Sequence, residues 1–335
     1  MQSLRKVIVV GIALAAFVIA TLPAWAQSCE TGSDLDASAR TAITAAGQRY
    51  FDMAAKGDVA SLRQNSIASL ASDFSGVESS VKDHQQNLSG AQGVVKSVFL
   101  LETQGDAAQP HAEFDCGIFG KSGQTANSSV FYLDNLPPGK YAVVLFDATG
   151  AKAKENLSLI LQQAGTDWKL GGFYIQASQV AGHASDWFSA RAREYKTKGQ
   201  LHNAWFFYLE ARTLISPLPF MSTQASDKLY DESQNMQPAD VPANGKTVDL
   251  AAGAATYKLT AIFPQAVGDD LDLVVKYQAA NISNTNQVYQ NNVAVMKALL
   301  AKFPEIREAF AGVVARAVDP SGRDYGTLLA MKDIK

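Results

Sequence analysis

The spacing of apolar residues changes from a helical to a strand period after residue 74, and this change constrains the fold more than any other feature. Residues 36–57 carry apolar side chains at helical spacing behind a cap at Ser33 or Asp34, and residues 59–74 continue as a shorter helix. Next come runs rich in Val, Phe, Tyr, Leu and Ile, separated by turn residues; the predicted strands are 94–102, 112–119, 129–134, 140–147, 157–163 and 168–176. Helices followed by a strand meander predict an α+β fold, with the helices on one face of a curved antiparallel sheet.

Two stretches of this region carry a family resemblance. The first helix contains Tyr50-Phe51 and is followed by Lys56-Gly57-Asp58, and residues 167–175 read DWKLGGFYI. Residues 35–178 therefore resemble the nuclear transport factor 2-like cone fold of small exported bacterial domains of unknown function. We assign residues 27–178 to this α+β domain.

The resemblance implies a cone with three known uses in the family. The cone holds a small apolar ligand, acts on a steroid-like or polyketide-like substrate, or is packed shut. The enzymes carry a dyad or a general base inside the cone, and no residue here matches one. Asp52, Tyr132 and Tyr141 are titratable candidates, but Asp52 fits a solvated helix residue equally well. Because a fold does not determine a function, the catalytic residues stay unassigned.

Residues 185–218 have the spacing of a tetratricopeptide unit. Ala192 and Ala204 would let two antiparallel helices approach, and Gly199 would form the turn. No second unit follows, and a lone repeat cannot bury its own apolar face. We therefore predict a tetratricopeptide-like helical hairpin within residues 179–232 that packs between two domains, or alternatively a generic pair of antiparallel helices.

The densest aromatic cluster of the chain falls on the second helix of this hairpin. Trp205, Phe206 and Tyr208 are its candidates for an interaction surface. The alternative is a core position, because aromatic side chains dominate buried contacts.

A polar, proline-containing stretch predicts a linker or loop over residues 233–247. Residues 248–335 then have the pattern of a ββαββ domain. Its predicted elements are strands 255–263 and 271–279, a helix at 285–302, and a hairpin of 313–318 with 327–332. The helix has a broad apolar side, which could pack on a four-stranded sheet.

Residues 1–26 have the pattern of a cleaved secretory signal peptide. Arg5 and Lys6 precede an uncharged apolar run over residues 7–21, and small residues at 24–26 precede the cleavage site. The pattern predicts a periplasmic or secreted protein, which meets the membrane only through export.

Two other interpretations of this segment are open. An uncleaved membrane anchor would need about 20 apolar residues, which is more than this run provides. A lipoprotein would be lipidated at Cys29, although Gln27 fits that motif poorly. The alanine-rich composition is typical of a bacterial protein.

Export changes the interpretation of the two cysteines. Cys29 and Cys116 are the only cysteines of the chain, and they do not form a Cys-x-x-Cys motif. In an oxidising compartment such a pair is expected to form a disulfide. The alternative is two unpaired thiols, with Cys116 buried in a strand.

Charge and motifs disfavour several functions. Lys and Arg total 29 against 32 for Asp and Glu, a net charge of -3, which disfavours nucleic acid as a partner. Residues 117–122 resemble a phosphate loop, but Asp115 stands where its first glycine should be. No Gly-x-Ser-x-Gly or His-Glu-x-x-His motif occurs. The histidines are dispersed in sequence: His84, His111, His183 and His202. We therefore expect no cofactor and no metal.

These observations favour a non-catalytic module of the bacterial envelope. It would bind a small apolar ligand in the cone or an envelope protein through the hairpin. The alternative is a cone-fold isomerase or hydrolase that acts on a small apolar substrate. The volume and polarity of a cavity would separate these functions.

Overall fold

The computed structural model of the protein describes residues 27–243 and 245–335, so the predicted signal peptide lies outside the described residues. The described part is a mixed α+β structure, which confirms the predicted class. Its strands form three largely antiparallel sheets, and none of these closes on itself. None of the described helices combines the length and apolar character needed to cross a membrane.

Four helices precede most strands in the first half of the chain, whereas helices and strands alternate in the second half. The first half contains β1 (Gln27–Thr31), α1 (Ala37–Ala55), α2 (Val59–Gln64), α3 (Ala68–Ser72), α4 (Ser75–Leu88), β2 (Gln92–Thr103), β3 (Gln109–Gly117), β4 (Ser128–Leu136), β5 (Gly139–Thr149), β6 (Glu155–Ala164) and β7 (Asp167–Ala177). The second half contains α5 (Ser185–Thr197), α6 (Leu201–Ile215), β8 (Met221–Thr223), α7 (Gln224–Ser233), β9 (Val248–Ala252), β10 (Ala255–Val267), β11 (Asp270–Gln278), α8 (Thr285–Lys302), α9 (Ile306–Ala309), β12 (Gly312–Val318) and β13 (Asp324–Ala330), followed by a 3-10 turn.

The first sheet has the strand order β1-β2-β5-β6-β7, and helices α1 to α4 cover one of its faces. Helix α1 begins where the Asp36 carboxylate accepts hydrogen bonds from the backbone N–H groups of Ser38 and Ala39, both at 2.8 Å. The hydroxyl of the buried Tyr50 donates to the carbonyl oxygen of Trp168 at 2.9 Å, which ties α1 to β7. The core under these helices is filled by side chains of both layers.

The second sheet, β3-β4-β8, covers the opposite face of the first sheet. Phe99 of β2 packs edge-on against Phe131 of β4, with ring centroids 4.9 Å apart. The strand pattern predicted β3 and β4 in one meander with the other strands, whereas β2 pairs directly with β5 and the β3–β4 hairpin folds onto the other face. A buried central strand such as β5 has apolar side chains on both faces, which accounts for its continuous apolar run.

A disulfide links these two sheets. Cys29 lies on β1 and Cys116 on β3, and 87 positions separate them in the sequence. The predicted disulfide is therefore confirmed.

The third sheet has the strand order β13-β12-β11-β10-β9. Helix α8 has the predicted bounds, and Asn284 caps it by accepting a hydrogen bond from the N–H of Gln287 at 3.2 Å. Strands β11 and β12 are parallel because α8 carries the chain back across the sheet between them. The predicted ββαββ unit omitted β9, so the sheet has five strands rather than four. This strand is only five residues long and follows directly on the polar stretch that predicted a linker.

Helices α5 and α6 belong to the core of this third sheet. They pack closely because Ala192 and Ala204 are both fully buried. The connection contains Gly199 at φ 76°, a left-handed conformation that glycine adopts without strain. Phe206 and Phe207 of α6 both pack against Phe310, with centroids 6.1 and 5.9 Å apart. The two helices and the third sheet therefore share one continuous apolar core.

Candidate functional site

One of the main depressions in the described part of the chain is a partly open cleft of about 420 Å³ between the first sheet, the second sheet and helices α5 and α6. Wider grooves of about 760 and 810 Å³ lie on the third sheet, but they are more open to solvent. Apolar side chains and hydroxyl, amide and charged groups line the cleft together. The apolar lining includes Phe99, Leu145, Leu214, Ile215, Pro217 and Met221, and the polar lining includes Lys96, Ser97, Ser129, Asn156, Ser178, Asp186 and Thr223.

A β-bulge places Lys96 at the mouth of this cleft. The register between β2 and β5 shifts between Val95 and Ser97, which leaves Lys96 as the extra residue. A bulge bends its strand and redirects the extra side chain. The Lys96 Nζ lies 3.6 Å from Oδ1 of Asp147, and the lysine side chain is 60% exposed. An exposed pair at this distance contributes little energy, so the ammonium group can turn toward a ligand.

Hydrogen bonds hold the walls of the cleft together. The Ser185 hydroxyl, at the start of α5, donates to the carbonyl oxygen of Ala211 on α6 at 2.8 Å. The Ser158 hydroxyl on β6 donates to the carbonyl oxygen of Pro217 at 3.3 Å. The first sheet and the segment after α6 are therefore joined directly, and the cleft between them has a defined shape.

A second polar arrangement lies beside the helix-covered core. The imidazole Nδ1 of His84 is 2.7 Å from Oε1 of Glu155, and the amide of Asn87 donates to the same oxygen at 2.8 Å. Glu155 is buried, and its Oε2 has no hydrogen-bond partner. The hydrogen bond to Glu155 raises the pKa of His84, because it favours the charged imidazole. No sequence motif indicated this pair, because 71 positions separate the two residues.

The predicted interaction residues occupy the core of the second half. Trp205, Phe206 and Tyr208 are all buried, and the Tyr208 hydroxyl donates to Oε1 of Glu232 at 2.6 Å. Their burial favours the core interpretation of this aromatic cluster over an exposed contact surface.

The three titratable candidates lie on different elements. Asp52 is exposed on α1 and accepts a hydrogen bond from Gln48 at 2.9 Å, which fits a solvated helix residue. Tyr132 lies on β4 and is half-exposed. Tyr141 is buried on β5 and donates to the carbonyl oxygen of Pro137 at 2.8 Å. The Tyr141 hydroxyl also accepts a hydrogen bond from the Gln162 amide on β6 at 3.4 Å, so no hydrogen bond joins the three candidates to one another.

Across residues 27–243 and 245–335, no cluster of three or more His, Cys, Asp or Glu side chains is arranged to hold a metal ion. Comparison of the chain with protein-family models, with curated proteins and with solved structures gives no match.

Proposed function

We propose that this protein is an exported envelope protein that binds a small, largely apolar ligand in the cleft between the first sheet and helices α5 and α6, without catalysing a reaction on it. The observation that carries this proposal is the cleft of about 420 Å³, whose lining combines apolar side chains with a few polar groups, as in small-molecule sites. The charged side chains of its lining are Lys96 and Asp186, one of each sign.

The disulfide and the pattern of residues 1–26 support the export part of the proposal, since disulfides persist in oxidising compartments. The relationship to the nuclear transport factor 2-like cone is also part of the proposal. The helix-covered antiparallel first sheet supports it. Because side chains of both layers fill the space beneath these helices, we place the ligand in the cleft on the other side of the sheet.

Binding of anilinonaphthalene sulfonate, an apolar anionic dye, tests the cleft directly. Met221→Trp places a large ring in the lining of the cleft and should weaken dye binding at least about tenfold, since the ring occupies space where the dye would lie. Met236→Trp is the matched control, because Met236 is also partly buried but packs against the core shared by α6 and the third sheet. Equal dye affinity for Met221→Trp and the unmodified protein would reject the cleft as the site.

The His84–Glu155 pair favours a second candidate function, hydrolysis or isomerisation of a small apolar substrate. A carboxylate on Nδ1 fixes the imidazole and leaves Nε2 to act as a general base. If the pair is catalytic, His84→Gln should slow hydrolysis of p-nitrophenyl acetate by about a hundredfold or more. His111→Gln is the control, because His111 forms a similar but exposed pair with Asp134 at 2.6 Å. Equal rates for both variants would exclude this hydrolytic activity.

A further inference from the structure

The two faces of the third sheet are covered differently. On one face, Leu273, Val275 and Tyr277 of β11 are buried in the core shared with α6 and α8. On the other face, strand pairing aligns one apolar residue from each of four adjacent strands. This apolar row consists of Phe263 on β10, Val274 on β11, Val314 on β12 and Leu328 on β13.

The apolar row is open to solvent at its edge. Leu328 is 47% exposed, and Phe263 and Val314 are partly exposed. Only Val274, in the middle of the row, is covered by its neighbours. A row of aligned apolar side chains on an outer sheet face is typical of a surface that meets a partner.

Opposite charges flank this row on the same strand. Along β11 the side chains on this face are Asp270 at the start of the strand, the buried Asp272, then Val274 and Lys276. Lys276 Nζ also lies 5.6 Å from the centre of the Phe263 ring, at the border of the apolar row. One face therefore presents acid, apolar and basic groups in that order.

We propose that this face joins two copies of the chain in a symmetric dimer. A two-fold axis that runs along the apolar row reverses the strand direction of the second copy. The two apolar rows then meet, and the basic side of each copy lies over the acidic side of the other. Because the face carries both signs, it is complementary to itself, and a second copy satisfies it without any other protein.

The size of the face is sufficient for such a dimer. Four strands spaced about 4.8 Å apart and about 25 Å long present roughly 500 Å² of flat area. Two copies would bury about 1,000 Å², and more once the relief of the side chains is included. This value lies near the lower limit for specific interfaces, so the dimer should dissociate on dilution.

Analytical ultracentrifugation of the purified protein over a range of concentrations tests the proposal. Leu328→Asp should raise the dimer dissociation constant about a hundredfold or more, because it places a charge in the apolar row, where the two-fold axis brings it close to the same charge of the second copy. Val94→Asp is the matched control, since Val94 is 50% exposed on the first sheet. It should leave the dimer unchanged.

A charge exchange tests the orientation and remains informative even if Leu328→Asp unfolds the protein. Lys276→Glu and Asp270→Lys should each weaken the dimer about tenfold, since the two-fold symmetry makes each change count twice. The double variant should restore it, because the exchanged charges are again complementary. A monomer at every concentration, a dimer indifferent to Leu328→Asp, or a double variant no better than either single one would overturn the proposal.

Discussion

The hydroxyl of Tyr277 on β11 donates a hydrogen bond of 2.7 Å to Oδ1 of Asn292 on α8, and both side chains are buried. The Asn292 amide in turn donates to the Thr327 hydroxyl on β13 at 2.9 Å. This short chain of hydrogen bonds fixes α8 across the parallel pair of strands in the third sheet.

Tyr277→Phe should therefore destabilise the protein. The substitution leaves Oδ1 of Asn292 buried without a donor, which costs about 1–3 kcal/mol in the free energy of unfolding. Urea denaturation followed by circular dichroism measures the change. Tyr289→Phe on the same helix is the control, because Tyr289 is 40% exposed, and it should have no effect. Equal effects of the two substitutions would show that the Tyr277–Asn292 bond contributes nothing.

Removing the disulfide should lower the free energy of unfolding by about 2–5 kcal/mol, because the cross-link restricts a long loop of the unfolded chain. The variant is Cys29→Ser with Cys116→Ser, and the measurement is urea denaturation. Reducing agent provides the control: it should destabilise the unmodified protein and leave the double variant unchanged. Stability that reductant does not alter would contradict the prediction.

The stability of the protein should fall as the pH rises above about 6.5. The hydrogen bond to Glu155 raises the pKa of His84 above its ordinary value, so the folded state binds the proton more tightly than the unfolded state. The stabilisation is complete below the unfolded-state pKa of about 6.5 and is lost as the pH passes the folded-state value. Denaturation from pH 5 to 9 should show a smaller decrease in His84→Gln, whereas His111→Gln should retain the full decrease.

Ionisation of Glu210 on α6 should cause a separate decrease in the free energy of unfolding, at lower pH than the decrease caused by His84. Burial raises its pKa from 4.5 to about 7, so ionising it costs folding free energy between these two values. Glu210→Gln should therefore stabilise the protein by roughly 2–3 kcal/mol at pH 8 and leave it unchanged at pH 4. Glu113→Gln serves as the control, because Glu113 is exposed on β3. An equal effect at both pH values would show that ionisation of Glu210 is not the cause.

Gly93→Ala should destabilise the core between helices α1 to α4 and the first sheet. An added Cβ would lie 2.7 Å from the ring of Phe51, which is buried against Phe146, so the ring or the strand would have to shift. Overpacking of this kind costs about 1–3 kcal/mol. Gly76→Ala in α4 is the matched control, because no atom lies within 4 Å of its added Cβ. Thermal unfolding should rank Gly76→Ala at or above the unmodified protein and Gly93→Ala below it.

Local sequence patterns predicted where helices and strands lie better than they predicted which strands pair. The bounds of α8 agree with the helix predicted at 285–302, whose apolar spacing continues to Leu300. The disulfide followed from there being two cysteines in a chain that has the pattern of an exported protein. By contrast, α4 was missed, because Val77, Val81 and Leu88 are its only buried residues and the rest of the helix is polar or small.

Strand pairing and the candidate site depend on residues far apart in the sequence. An alternating pattern marks β3 and β4 as strands, but it does not say that they leave the first sheet for a second one. The cleft joins β2 and β5 with residues that follow α6, and no local motif links these segments. His84 and Glu155 are likewise far apart in the sequence, and no local motif links them. Only the folded structure brings the cleft residues, or this pair, together.

The core shared by α6 and the third sheet determines how the protein can be divided for experiments. Phe206 and Phe207 of α6 pack against Phe310 and belong to the apolar core of the third sheet. A fragment that begins at residue 248 lacks α6 and would expose this apolar surface to solvent. A protease cut within residues 234–247 should instead give two pieces that stay together until denatured. A division between β7 and α5 would take β8 away from its partner strand β4 and would remove one wall of the cleft. Separating the two halves would therefore break up the second sheet together with the ligand site.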